Sequence, residues 1–222
     1  MAVSQLDPQR ADFPDPAEAR DDGLLAVGGD LSPARLLAAY GRGIFPWTDG
    51  PVTWWSPDPR AVFELDAFVP PRRLRATLRR GTFTVTRDRD FAGVIAGCAA
   101  PAAGREETWI SPAFVAAYTE MHRLGHAHSF EVWREDRLVG GLYGLAIGGF
   151  FAGESMFHRE TDASKVALCH AVAHLRERGF VLFDTQVATE HTEALGAVDI
   201  PRAAYLLQLA RAVALPVSFK NA

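Results

Sequence analysis

The sequence predicts an α+β fold in which a small N-terminal unit precedes a larger C-terminal domain. Three observations carry this prediction: a globular composition, a change of character near residue 60, and alternating helical and strand-like segments after it. The chain has 222 residues, 48% hydrophobic and 23% charged, which is enough apolar material for a sizeable core. We therefore place the two domains at residues 1–60 and 61–222.

The same composition excludes several classes of protein. No run approaches the roughly 18 apolar residues of a membrane span, and the start is acidic and proline-rich, so we expect a cytoplasmic protein without a membrane partner. Cys98 and Cys169 are too few for a disulfide framework and are predicted core residues. His170 and His174 have the spacing of a zinc helix but lack the glutamate of HExxH. We expect both on an exposed helix face and predict no metal.

The N-terminal unit contains one clear helix and one unusual segment. Ser32 is the predicted N-cap, Pro33 occupies the first helical position, and Gly41 lies just past the end. Residues 41–60 then mix tryptophans and prolines with turn residues, a mixture typical of neither helix nor strand. We expect an irregular segment that closes the unit.

The C-terminal domain is predicted from its periodicity and turn signals. Three strands in a meander begin at His128, separated by the Glu135-Asp136 and Gly148-Gly149 turns. Helix, strand and helix follow, an order used by acyltransferases of the N-acetyltransferase superfamily. The elements in chain order are a strand in AVFEL, a helix in RRLRATLRR, a strand in TFTVTRD, helices in DFAGVIAGCAA and SPAFVAAYTEMHRLG, the meander, a helix in DASKVALCHAVAHLRERG, a strand in FVLFDTQV and a helix from Pro201.

Polar residues in two of these strands are candidates for chemistry. Asp184 and Gln186 are two apart on an apolar strand, so period-two geometry predicts that they share a face. Such a pair can orient an amine or accept its proton; equally, Asp184 is a strand-end residue that caps the next segment. Glu154, in FAGES, can bind an ammonium group or a ribose hydroxyl, or is a surface glutamate near a helix N-terminus.

A cluster of arginines predicts contact with phosphate. Arg72, Arg75 and Arg79 form one helical stripe, with Arg73 and Arg80 adjoining it. The net charge of the chain is −4, and without these five arginines it would be −9. Contact with a polyanion is therefore expected to be confined to this segment. The alternative is a merely solvated helix face.

Four tryptophans offer flat faces on which a nucleobase can stack. The alternative is that some of them anchor the core or join the domains, since tryptophan often does both. The four are Trp47, Trp54, Trp55 and Trp109.

Nine blocks of sequence, in register from residue 23 to 202, carry a specific resemblance. Together they resemble the bacterial leucyl/phenylalanyl-tRNA protein transferase family. The blocks are GLLAVGGDLSPARLLAAYGRGIFPW, WWSPDPRAV, EETWIS, LGHAHSFEVW, LVGGLYG, FAGESMF, ASKVAL, FDTQ and LGAVDIPR. The chain departs from the family at Ala194, where a serine is more usual, and in the individual arginines of the basic helix.

This resemblance implies a C-terminal domain like the N-acetyltransferases and an aminoacyltransferase without a cofactor. It implies transfer of Leu or Phe, and of Met as a further donor, from aminoacyl-tRNA to the α-amino group of proteins that begin with Arg or Lys. The product enters N-end rule degradation. A monomer is expected.

The resemblance also assigns residues by motif. Asp184, Gln186 and Glu154 match the reactive site. The family's residues near the terminal adenosine of the tRNA match Trp47, Trp109, Tyr40 and Tyr118. Its pocket for the amino-acid side chain matches Leu142, Phe151, Leu168 and Phe183. Its basic helix, which holds the acceptor stem, matches Arg72, Arg75, Arg79 and Arg80.

Two other classes of protein stay open at this point. An acetyl-CoA-dependent acetyltransferase is expected to have a [QR]xxGx[GA] pyrophosphate loop, which no segment fits. A non-enzymatic tRNA-binding module explains the arginines and tryptophans but gives no reason for FAGES and FDTQ in one half of the chain.

Overall fold

A computed structural model describes residues 3–101 and 108–220 of the chain. Glu106 and Glu107 of the EETWIS block lie outside the described residues, as do the extreme ends of the two predicted domains.

The N-terminal unit folds into a four-stranded sheet with one helix. The helix, α1 (Pro33–Tyr40), begins after Ser32 and ends at Gly41 as predicted, although the Ser32 side chain makes no capping hydrogen bond. A short 3-10 helix spans Pro16–Glu18. The strands are β1 (Ser4–Leu6), β2 (Leu24–Gly28), β3 (Phe45–Asp49) and β4 (Val52–Trp55).

The segment rich in tryptophan and proline is a β-hairpin, so the prediction that residues 41–60 are irregular was wrong. The strand order of the sheet is β1-β2-β4-β3, which makes β3 an edge strand. Proline is tolerated on edge strands because one side of the strand needs no ladder hydrogen bond. Pro46 therefore pairs opposite Trp54 without breaking the hairpin.

The C-terminal part builds a seven-stranded sheet flanked by helices. Its strands are β5 (Arg60–Phe63), β6 (Thr84–Arg87), β7 (Ala127–Arg134), β8 (Arg137–Ile147), β9 (Phe150–His158), β10 (Leu182–Gln186) and β11 (Ala197–Ile200). Its helices are α2 (Arg72–Arg80), α3 (Phe91–Ala99), α4 (Pro112–Arg123), α5 (Ala163–Arg178), α6 (Glu190–Glu193) and α7 (Arg202–Val213).

The order of this sheet is β11-β5-β10-β9-β8-β7-β6. β9 and β10 are parallel and joined by α5, whereas every other neighbouring pair is antiparallel. The predicted meander is confirmed as β7, β8 and β9. The strand β11 was not predicted, because it has only four residues and pairs with the distant β5.

Two hydrophobic clusters cover the two faces of the larger sheet. One lies between the sheet and α5. The other is shared with the smaller sheet, because it contains Trp54 of β4 as well as Tyr143 and Leu145 of β8. The division of the chain at residue 60 stays a prediction, since this cluster runs across it.

Burial of individual residues confirms one prediction and corrects another. Cys98 and Cys169 are buried, as predicted. His170 is exposed, but His174 is buried, and its Nε2 lies 2.9 Å from the carbonyl oxygen of Phe219. The prediction for His174 was wrong because α5 is covered on more than one side. Among the described helices, none combines the length and the apolar character that crossing a membrane requires.

Candidate functional site

The site lies where the two parallel strands of the larger sheet separate. Pairing between β9 and β10 ends at Asp184, opposite Ala152. Glu154 and Gln186 follow these last paired residues, so their side chains border the gap between the strands.

A β-bulge aims Glu154 into this gap. On the neighbouring strand Tyr143 pairs with Ser155 and Gly144 pairs with Gly153, which leaves Glu154 as the extra residue. Bulges break the alternation of a strand and redirect one side chain. The adjacent Gly153 is needed because a Cβ there would lie 2.7 Å from the ring of Phe183.

Asp184 lies behind the gap and is fully buried, with 0% of its surface exposed. Its Oδ1 accepts from Arg60 Nε at 2.8 Å and from the Gln186 backbone N–H at 2.9 Å. Its Oδ2 accepts from Arg60 Nη2 at 2.6 Å and from the Tyr205 hydroxyl at 2.9 Å. A carboxylate has about four acceptor positions, so Asp184 has none left for a substrate proton.

Arg60, the ion-pair partner of Asp184, was not predicted from the sequence. It is 1% exposed, lies over the rings of Phe45 and Tyr205 at 4.9 and 4.5 Å, and donates from Nη1 to the Gly43 carbonyl at 2.9 Å. Burial alone would lower the pKa of Arg60, but the charge of Asp184 outweighs it and raises the pKa. Arg60 therefore stays charged. The sequence did contain one signal for this pair. Arg60 is a charged residue at the start of an apolar strand, and a buried arginine is almost always paired with an opposite charge.

The expected shared face of Asp184 and Gln186 is not observed. Gln186 has a φ of 60°, and the pairing of β10 with β5 shifts register between the two residues. As a result Asp184 contacts Arg60 and Tyr205, whereas Gln186 Nε2 donates to Glu154 Oε1 at 3.2 Å. The prediction failed because a bulge and a left-handed residue break the period of two.

Glu154 has a second donor and a raised pKa. Tyr118 donates to its Oε2 at 2.9 Å, and the hydroxyls of Tyr40 and Tyr118 lie 2.5 Å apart. Since each hydroxyl carries one proton, Tyr40 donates to Tyr118. Burial raises the pKa of Glu154 to about 7, although the two tyrosine hydroxyls oppose the shift. Glu154 is thus able to exchange a proton near neutral pH.

Tyr40 and Tyr118 do not line the cavity. Both are buried, at 1% and 0% exposure, and they lie beneath Glu154. Their assignment near the terminal adenosine stays a prediction; in the structure Tyr118 contacts the carboxylate of Glu154, and Tyr40 contacts Tyr118.

Two cavities meet at Glu154 and Gln186. The first, of about 130 Å³, is bounded by the indoles of Trp47 and Trp109. Trp47 is 39% exposed and packs edge-to-face on Trp55 at 5.2 Å. Trp54, by contrast, is a core residue that donates to the Gly28 carbonyl, so only some of the tryptophans face open space.

The second cavity, of about 180 Å³, is predominantly apolar. Three of the four predicted pocket residues line it: Leu142, Leu168 and Phe183. Phe151 is fully buried behind Phe183, its ring edge-on at 5.3 Å, so it supports the wall without forming it. Phe63 of β5 and Met156 of β9 also line this wall and were not predicted.

The predicted arginine helix forms as α2, with all five arginines exposed and Leu74 and Thr77 buried. Within the part of the chain that the structure describes, none of the five makes an ion pair. Arg80 donates to the Thr77 hydroxyl. The exposed surface of α2 therefore carries five positive charges that no ion pair among the described residues balances. The described residues also contain no group of three side chains that would hold a metal ion.

Comparison with known proteins decides the family. The family model for leucyl/phenylalanyl-tRNA protein transferase matches residues 62–210, and the model for its N-terminal domain matches residues 29–58. The chain belongs to the leucyl/phenylalanyl-tRNA protein transferase family. A relative from Anaeromyxobacter dehalogenans is 53% identical over 97% of this chain and 94% of its own length. Another, from Edwardsiella ictaluri, is 54% identical over 94% of this chain and 87% of its own.

Solved structures similar to this family member are more distant. An L-PGS from Bacillus licheniformis is 10% identical with a TM-score of 0.47. The match covers 86% of this chain and 71% of the L-PGS chain. An aminoglycoside acetyltransferase from an uncultured soil metagenomic sample is 14% identical with a TM-score of 0.40. The match covers 64% of this chain and 94% of the acetyltransferase chain. The predicted α+β class with a small N-terminal domain is confirmed by the element order and by the match of the N-terminal domain model, whereas the likeness of the C-terminal domain to the N-acetyltransferases stays a prediction.

Membership of the leucyl/phenylalanyl-tRNA protein transferase family also decides between the classes left open above. Enzymes of this family are aminoacyl-tRNA-dependent transferases that act on protein. The acetyl-CoA-dependent acetyltransferase and the non-enzymatic tRNA-binding module are therefore set aside.

Proposed function

We propose that this enzyme transfers Leu or Phe from the 3′ end of its tRNA to the α-amino group of proteins that begin with Arg or Lys. The observation that carries the proposal is the position of Glu154 and Gln186, which border both an aromatic cavity and an apolar cavity. An aminoacyl ester has a nucleobase at one end and a side chain at the other. Its reactive carbonyl then lies between the two cavities.

The substrate parts fit the two cavities by their chemistry. The adenine stacks against Trp47 and Trp109, a contact worth roughly 1 to 3 kcal/mol per base. The Leu or Phe side chain enters the apolar cavity lined by Leu142, Leu168 and Phe183. Apolar pockets discriminate by about 1 to 3 kcal/mol per methylene, so this cavity selects large apolar donors over small ones.

The proposed reaction is aminolysis of an ester. The neutral α-amino nitrogen of the acceptor attacks the ester carbonyl, and the bond from that carbon to the ribose oxygen breaks. The nitrogen loses one proton to the Glu154 carboxylate, and the leaving ribose oxygen takes a proton from the carboxylic acid so formed, which returns Glu154 to its starting state. The ester is already activated, so no cofactor is needed, and holding the two substrates in line supplies part of the acceleration.

Asp184 and Gln186 have positioning roles in this mechanism. Asp184 accepts four hydrogen bonds and fixes the backbone N–H of Gln186. Gln186 in turn donates to Glu154 and fixes the carboxylate that takes the proton. This replaces the expectation that Asp184 itself draws off the proton.

The remaining features fit the same function. The exposed arginines of α2 hold the phosphates of the acceptor stem, and we propose that the enzyme works as a monomer in the cytoplasm, where aminoacyl-tRNA is made and used. The test is transfer of radiolabelled Leu, Phe and Met from their charged tRNAs to peptides that begin with Arg, Lys or Ala. We expect label on the Arg and Lys peptides alone. Folded enzyme that labels none of them refutes the proposal.

The arginine helix gives the first prediction. Replacing Arg75 and Arg79 by glutamate is expected to weaken tRNA binding and to make it less dependent on salt. In a plot of the logarithm of the binding constant against the logarithm of the salt concentration, the slope is expected to fall by about one for each phosphate that α2 no longer neutralises. The measurement is a filter-binding titration at several salt concentrations.

The matched control is Arg10→Glu, an exposed arginine whose guanidinium already pairs with Asp12. A phenylalanyl-adenosine donor has no phosphate, so its use is expected to stay unchanged in the double variant. An unaltered salt slope for tRNA would show that α2 does not hold the acceptor stem.

The aromatic cavity gives the second prediction. Trp47→Ala and Trp109→Ala are each expected to raise the KM for phenylalanyl-adenosine about tenfold, because one stacking face is removed. The measurement is steady-state transfer to an Arg peptide. Trp133→Ala is the control, since Trp133 packs under Arg89 and lines neither cavity. Full activity of a cavity variant would make that tryptophan structural.

A further inference from the structure

The C-terminal segment, residues 214–220, is fastened to the larger domain by several contacts. Arg178 donates to the carbonyl oxygens of Ser218 and Lys220 at 3.0 and 2.9 Å. His174 Nε2 donates to the Phe219 carbonyl at 2.9 Å, because a carbonyl only accepts. The Phe219 side chain is 4% exposed, so the segment ends on a buried aromatic anchor.

The ring of Phe219 enters an aromatic cluster behind the apolar cavity. It stacks on His128 with 3.8 Å between ring centroids and an interplanar angle of 8°. On another side it stacks on Phe151 at 6.1 Å and 21°. Phe219 is thus in contact with the residue that supports the pocket wall.

Phe151 stands between the C-terminal segment and the pocket. Its ring meets Phe183, which lines the apolar cavity, edge-on at 5.3 Å. On the sheet side neither ring has room to move, because a Cβ at Gly144 would lie 2.6 Å from Phe151 and one at Gly153 would lie 2.7 Å from Phe183. Phe151 is therefore held between the sheet and Phe219, and Phe183 packs between the sheet and Phe151.

We propose that Phe219 is a positioning residue that sets the depth of the amino-acid pocket through Phe151 and Phe183. The inference rests on the proposed function, because it assumes that this cavity takes the Leu or Phe side chain. Protein interiors are close-packed, and the atoms around a deleted side chain relax only partly into the space it leaves. Removing the Phe219 ring lets Phe151 and then Phe183 withdraw from the cavity, which makes the pocket deeper.

A deeper pocket changes the relative use of the two donors. Leu no longer reaches the receding wall, whereas the longer Phe side chain follows it. We expect Phe219→Ala to raise the ratio of kcat/KM for phenylalanyl-tRNA over leucyl-tRNA about tenfold, the size of effect that one or two methylenes have in an apolar pocket. The change is expected in KM for leucyl-tRNA, with kcat nearly constant, because Glu154 and Gln186 are untouched.

The experiment compares the full-length wild type, Phe219→Ala and Phe219→Leu with leucyl- and phenylalanyl-tRNA as donors and an Arg-initiated peptide as acceptor. Phe219→Leu refills part of the space, so its donor ratio is expected between the other two. The control is Phe13→Ala, which deletes a buried phenylalanine that packs on Trp54 in the smaller sheet. Unfolding midpoints are recorded for all four proteins.

The outcomes separate this inference from the proposed function. A graded rise in the donor ratio from wild type through Phe219→Leu to Phe219→Ala, absent in Phe13→Ala, supports the inference. A ratio that stays at the wild-type value, or that shifts equally in Phe13→Ala, overturns it. If Phe219→Ala does not fold, Phe219→Leu with an unchanged ratio is sufficient to reject it. Wild-type enzyme that transfers neither residue refutes the proposed function instead, and this inference with it.

Discussion

Replacing Glu154 by glutamine is expected to lower kcat for peptide transfer by about 10² to 10⁴, the usual contribution of a positioned general base. Glutamine keeps the shape and the hydrogen bond from Tyr118 but takes no proton. The KM for aminoacyl-tRNA is expected to change little. The measurement is single-turnover transfer with saturating donor.

The pH dependence gives an independent check on Glu154. The reaction requires the carboxylate form of Glu154, so the wild-type rate is expected to rise as pH passes through about 7. The rate of the variant is expected to depend only on deprotonation of the acceptor amine, whose pKa is about 7.7 to 8.0. Glu120→Gln, an exposed change on α4, serves as the control. An effect confined to KM would mean that Glu154 binds an ammonium group and does not take the proton.

The same raised pKa predicts how stability depends on pH. Folding makes Glu154 harder to ionise, so its contribution to the free energy of unfolding is fully present below its ordinary pKa and is lost as pH rises through about 7. Urea unfolding of wild type relative to Glu154→Gln is therefore expected to show the wild type losing stability over this range.

Replacing Arg60 by methionine is expected to destabilise the protein by about 3 to 5 kcal/mol, because it leaves Asp184 buried and unpaired. Adding Asp184→Leu is expected to recover much of this loss, since replacing both charges is far less costly than removing one. Transfer should nevertheless stay low in the double variant, because the Gln186 backbone N–H no longer has its acceptor. The measurements are urea unfolding and transfer at a temperature where both variants are folded.

The matched control is Arg20→Met, which breaks an exposed pair with Asp22 and should cost at most about 1 kcal/mol. Arg60→Lys tests the geometry, since lysine cannot make the two parallel hydrogen bonds of the guanidinium. Wild-type stability and activity of Arg60→Met would show that the buried pair neither supports the fold nor positions Gln186.

Local signals in the sequence were sufficient for many of the helices and strands in both parts of the chain. The end of α1 at Gly41 and the start of α4 at Ser111 follow from capping residues within one turn of the helix. The meander follows from turn residues between β-rich runs. These elements were predictable because their causes lie within a few residues.

The errors share a different cause, which is pairing between distant residues. Arg60 and Asp184 are 124 positions apart, so no local pattern shows that they meet. The bulge at Glu154 depends on how β8 pairs with β9, and the tryptophan hairpin depends on its place at a sheet edge. The motifs predicted several residues that the structure brings together around the two cavities, but only the fold showed that Asp184 points away from them.

The hydrophobic cluster shared by the two sheets predicts that the two sequence units unfold as one cooperative unit. Leu25 and Trp54 of the smaller sheet pack in the same cluster as Tyr143 and Leu145 of the larger one, and Arg60 bonds the Gly43 carbonyl across the junction. Segments that share a core open together, so their slowest amide hydrogens exchange with the same free energy. Deleting the N-terminal unit would therefore remove part of the hydrophobic core that packs on the larger sheet.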